Sequence, residues 1–402
     1  YNNTNRIAMG DIKYIIKGVK NVMASDRART LIYVLELVSV EFLQNVRKYV
    51  SHAYNDLVED MAEKVYNEYV LDDTITKFVN DTFKCEIKPF IKEESVKVRR
   101  LVVPNLRPFQ AMQWLAKHAV AKDYNNHFLY LFFENNKGYN FVTMQKLIDD
   151  ARQNYAQLQA NKYKYVSDVE IINDGNTDVK SAMRSITNIV FNKRFSSIEK
   201  IAGGYYQNEL FEISLLQKSY NSTPTELTPT GLASNSLGNF PLNTDDYINY
   251  VKNNIEGTEY SNRIRYIMNN YEDFSPEDRS QPDYRLKVGP ANKFLHALNQ
   301  IDLTITVPIN MDLNAGDVIY CDLPEMHGFN IIEEDMYVSG LYIISEVKHI
   351  IGNNNKGSTS LRIYKDGYLN SLLTSSKYTT AAQRGGEVID PATGRLVGRG
   401  GI

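Results

Sequence analysis

The 402 residues include only two cysteines, Cys85 and Cys321. They stand far apart, offer no disulfide framework and no metal spacing, and read as packing residues. No apolar run approaches the ~18 residues a membrane-spanning helix needs, and no signal-peptide pattern opens the sequence. Charge of one sign is also lacking. Lys and Arg total 45 against 48 Asp and Glu, a formal net charge of −3. That balance argues against a protein that grips nucleic acid through bulk charge. Neither G-x-S-x-G nor H-E-x-x-H occurs. The six histidines, His52, His118, His127, His296, His327 and His349, show no zinc-like pairing. Gly203-Gly204 lacks the following Lys-Ser/Thr and the strand-before-helix setting of a phosphate cradle. Glu325 near His327, and the run Glu333-Glu334-Asp335, imitate an acid/base pair but read as an exposed acidic loop between strands. No catalytic, cofactor-binding or metal residue is assigned.

What is present is β-pattern. Tyrosine is abundant at 28 residues, and it suits strands and interfaces that are apolar in body and polar at the tip. The clearest stretch runs from Leu295 to Lys365. Ile301, Leu303, Ile305 and Val307 alternate with Asp302, Thr304 and Thr306, one face buried and one wet. A turn follows at 313–317, where Gly316 can take a positive φ. Strands are expected at Val318 to Leu323, stopped by Pro324, at Tyr337 to Ile351, and at Ser358 to Tyr364. Four strands joined by turns make an antiparallel meander that can close as a small barrel.

Upstream, Tyr14 to Val22 and Leu31 to Leu43 read as strands around a polar turn. Two strands cannot bury themselves stably in water, so they look like the end of a barrel whose opening strands precede Tyr1. Helical spacing of Leu57, Met61 and Val65 predicts a helix from about Ala53 to Glu68. Residues 72–83 have weaker periodicity and stay open. Ser95 to Val103 reads as a strand exposing Lys97, Arg99 and Arg100. The basic stretch Lys97 to Arg100 is either a solvated or intersubunit face or the lining of a DNA channel. Pro108 opens a helix with Phe109, Met112 and Leu115 inward, and a hairpin follows over 128–142. Met183, Ile186, Val190, Ile198 and Ile201 suggest one or two helical pieces, stopped by Gly203-Gly204. Tyr205 to Lys218 is expected to be the strand that covers the open edge of the meander. The segment 222–283, rich in Pro and Asn, then loops out with a helix around 245–255 and supplies no central strand. Residues 371–402 lose periodicity.

Several stretches carry a resemblance. Val307-Pro-Ile-Asn310, Asp312 to Ile319, Tyr337 to Ile344, Val347 to Ile351 and Thr359 to Ile363 resemble the last barrel of baseplate hub proteins. Those are proteins of contractile-tailed phages of the T-even type, related to the base of type VI secretion spikes. Val103-Pro-Asn105, Phe128 to Phe133 and Thr143 to Ile148 resemble the second domain of the same family. The resemblance implies an α+β, β-rich fold, with tail-tube-like antiparallel β-barrel domains and an inserted α/β domain. Residues 1–52 are then the C-terminal part of a first β-barrel and 53–202 the α/β domain. Residues 203–221 with 284–368 form a discontinuous second barrel, 222–283 an inserted lobe, and 369–402 a tail that is flexible or ordered on a partner.

The same resemblance implies a mechanical virion protein rather than an enzyme. It implies a homotrimer whose two barrels per chain make a pseudo-sixfold ring. Such a ring joins the hexameric tail tube, or its initiator proteins, to a trimeric central spike, within baseplate wedge proteins, and forms part of the DNA conduit. DNA is a passenger only, and no stable membrane insertion is implied. The place is the virion baseplate, assembled in the host cytoplasm. The alternative is a cell-wall hydrolase riding on a tail tip, which needs a cleft with placed carboxylates or a metal.

Overall fold

A computed structural model describes residues 14–25, 30–71, 88–96, 98–123, 129–165, 179–193, 202–204, 207–214, 218–226, 237, 240–241, 263–268, 285–298, 300–324, 335, 338–352, 357–368, 387–389 and 396–399. The fold is α+β and rich in β.

The chain opens with β1 (Tyr14–Ser25) and β2 (Thr30–Ser39), which pair antiparallel as a two-stranded ribbon. The second strand is shorter than its apolar run suggests. Ser39 Oγ accepts from Phe42 N, and this N-cap starts α1 (Val40–Arg47) inside the stretch expected to remain extended. The expected helix over 53–68 is likewise corrected. It begins as β3 (Ala53–Leu57), continues as α2 (Val58–Val65) and ends in a π-helical turn over Tyr66–Leu71. Tyr54, Leu57, Val58 and Met61 satisfy helical spacing, and pairing with a distant strand overrides it.

Next come β4 (Phe90–Lys92), β5 (Val98–Val102), α3 (Pro108–His118), β6 (Tyr130–Asn135) and β7 (Gly138–Thr143). β3 pairs with β5, while β7 lies between β4 and β6. A core built on Val58, Met61, Val65, Met112, Leu115 and Phe141 fills the space among these elements. Helix α3 has no cap from its own N-cap residue, Arg107; Asn45 Oδ1 on α1 accepts from Phe109 N instead at 2.9 Å. Two buried carboxylates tie the strands together over long sequence distances. Glu59 accepts from the backbone and hydroxyl of Ser95, and Glu93 accepts from Thr143 N and Oγ1. Buried carboxylates need such donors, and no spacing rule could have announced them.

Then follow α4 (Met144–Gln153), α5 (Tyr155–Ala160), β8 (Tyr163–Tyr165), α6 (Val179–Ala182), β9 (Ser185–Ile186) and β10 (Asn188–Lys193). Over 179–193 the expected helical pieces shrink to the single turn of α6, which a turn at 183–184 joins to the strands β9 and β10; Ile198 and Ile201 lie outside the described residues. A three-stranded sheet comes from β11 (Gln207–Ser214), β12 (Ser219–Glu226) and, after the two-residue β13 (Phe240–Pro241), β14 (Arg263–Met268). The expected helix around 245–255 lies outside the described residues. Helix α7 (Arg285–Leu298) leads into the meander: β15 (Ile301–Pro308), β16 (Val318–Asp322), β17 (Gly340–Ile351) and β18 (Gly357–Lys365). The short strand β19 (Gly367–Tyr368) pairs with β13. The C-terminal stretch is not without structure either, since β20 (Glu387–Ile389) and β21 (Leu396–Arg399) form a hairpin.

The four expected meander strands are all present, and they belong to a seven-stranded sheet ordered β10-β15-β18-β17-β16-β8-β9. Its two outermost members, β9 and β10, are consecutive in the chain. One bent segment therefore pairs with β8 on one side and β15 on the other, and Thr187 N at the bend already donates to Thr306 O. The sheet is nearly closed into a barrel. Ile301, Leu303, Ile305 and Val307 face its interior with Leu361, Ile363, Ile344 and Phe191, as their alternation predicts.

The closing strand is the main correction. β11 was expected along the first meander strand; it pairs antiparallel with β12 and parallel with β14 instead. The 222–283 segment thus does supply strands. Pro224 sits opposite Glu209 on β12, an edge strand, where a missing N–H does no harm. The meander edge that β11 was to cover is taken by β10.

Candidate interaction surface

The largest run of exposed apolar side chains in the described residues lies at the start of the chain. The register pairs Ile16 with Leu37 and Val19 with Leu35, so Tyr14, Ile16, Val19, Tyr33, Leu35 and Leu37 share one face of the β1–β2 ribbon. Each is between 41% and 58% exposed. The opposite face is different. Lys20 and Glu36 pair across it, and the Lys20 hydrogen bond holds the Glu36 carboxyl below the usual carboxylate range. That face is mixed, since the register also places Ile15, Val38 and the 48% exposed Val34 on it, whereas the first face gathers the six apolar side chains. Bulges between Ile16 and Gly18 and between Lys20 and Met23 interrupt the ladder. Beyond the ribbon, α1 exposes Phe42 and Val46, and Tyr49 follows. Monomeric proteins rarely leave contiguous apolar area of this extent in water.

A second exposed β-face belongs to the β3–β5 ribbon, and it revises the reading of the basic stretch. Arg99 is buried, whereas Val98, Arg100 and Val102 point outward. Lys97 lies outside the described residues. The phase is set by Leu101 and Val103, which turn toward the core with Arg99. The expected run of exposed cations becomes one Arg between two valines, with Leu57 opposite Val98 across the ladder.

The sequence-named polar residues are scattered. His52 meets the edge of Tyr54 at 4.8 Å between ring centroids. His118 Nδ1 lies 2.9 Å from Trp114 O on its own helix, and His296 packs against Gly203. Gly203 and Gly204 present carbonyls to Asn292 and Asn208, a clamp between α7 and β11 rather than a ligand cradle. Asp335 caps its own turn by accepting from Val338 N. Cys321 is buried inside the barrel, where desolvation pushes its thiol pKa up. Cys85, His127, Glu325, His327, Glu333 and Glu334 lie outside the described residues. Among the described residues no three His, Cys, Asp or Glu side chains gather as a metal site, and no helix is long and apolar enough to cross a membrane.

No protein-family model and no curated protein matches the chain. A solved structure does. It is the tail protein from Neisseria meningitidis MC58, similar at a TM-score of 0.43 and 12% identity over 89% of this chain and 81% of that one.

Sequence reasoning missed Lys365, which is buried in the barrel end and donates to the carbonyls of Val338 and Ser339. An alternating strand pattern places its Cβ inward, but its charge suggested solvent. At the other end, His349 Nδ1 lies 3.0 Å from Thr359 Oγ1, and burial lowers the imidazole pKa below 6.5. A depressed folded pKa means the unfolded chain takes up a proton first as pH falls. The stabilising share of the neutral ring is thus full above 6.5 and lost as the pH falls through the lower folded value. Replacing His349 by Gln should flatten the stability profile in that window. Urea midpoints measured between neutral and mildly acidic pH test this, and an unchanged slope removes His349 as its source.

Proposed function

We propose that the chain is a structural protein of a phage tail, a baseplate hub whose three copies form a pseudo-sixfold ring between the tail tube and a trimeric spike. Its work is mechanical: it matches sixfold to threefold symmetry and leaves a conduit for DNA. One observation carries the reading. The five hub-like segments between Val307 and Ile363 belong to one nearly closed barrel, spread along β15, the 312–317 turn, β16, β17 and β18. Closing removes free sheet edges, and a rigid barrel is a unit that can repeat around an axis. Exposed apolar ribbon faces add support, since a ring needs large contacts between copies. Tube, spike and wedge proteins are the partners this reading requires, and it requires no catalytic centre.

Counting copies per particle tests it. Three copies are expected, together with no clearing of cell wall by the purified chain in a zymogram. Six copies per particle, with a chain monomeric at high concentration, would sink the hub.

A further inference from the structure

We draw no further inference here: the strongest candidate, the exposed apolar face of the β1–β2 ribbon formed by Tyr14, Ile16, Val19, Tyr33, Leu35 and Leu37, carries nothing because nothing in the structure shows what covers it.

Discussion

Gly316→Val should destabilise the chain by on the order of 3 kcal/mol, from backbone strain and overpacking together. The φ of Gly316 is +89°, a region that β-branched residues avoid. A Cβ there would also lie 2.8 Å from Phe133 Cζ. Position 316 is fixed from both sides: its N–H donates to Ile344 O on β17, while Asn135, Asn136 and Lys137 of the β6–β7 hairpin bind the same turn. The barrel and the α/β part therefore meet at a glycine. A lower urea midpoint with an unchanged slope is the expected result. Adding Phe133→Ala to Gly316→Ala should recover the steric share but not the dihedral share. If that double variant regains full stability, the φ argument is wrong.

Phe141→Ala should remove about 3–5 kcal/mol, the usual range for emptying a large aromatic site. Phe141 is fully buried on β7, the middle strand of its sheet, with Tyr130 at 5.2 Å and Phe90 at 6.4 Å between ring centroids. Every residue of β7 is buried, so the surroundings have little room to collapse into the cavity. The loss falls on the α/β core and not on the barrel interior, so a barrel probe such as Tyr342 environment should report a smaller shift. A change below about 1 kcal/mol would mean that the site relaxes freely, against the close packing of interiors.

The meander was legible because its period of two is unbroken and each turn carries its own chemistry. Ile301 to Val307 fell inside the barrel as their alternation requires, and Gly316 has the dihedral its turn demands. The closing strand was hidden for a physical reason. Ile186, Val190 and Phe191 fit helical spacing as well as strand spacing, and at Thr187 the segment changes partner, so no single alternation runs through it. The Pro and Asn content of 222–283 argued against a central strand, and β12 and β14 are both edge strands of their sheet, where Pro224 is tolerated. On β5, charge was taken as a guide to the outward face, and the core-facing phase of Leu101 and Val103 decided otherwise. The candidate surface was half visible. Apolar residues at 14–42 announced strands, but which of their two faces lacked cover required the cross-strand register.

The single bent segment that borders the barrel on both sides also sets an order of events. During synthesis 185–193 leaves the ribosome long before β15 and β18 exist, and its β15 partners lie more than a hundred residues downstream. Closure waits on a contact of high sequence separation, the kind that slows folding. Until then Ile189 and Phe191 are without their cover, and the chain is exposed to wrong pairings. For the same reason the meander cannot be cut out as a working piece. A fragment beginning near residue 285 would carry β15 with one edge bare and β16 with another, so the smallest autonomous barrel must begin at or before β8.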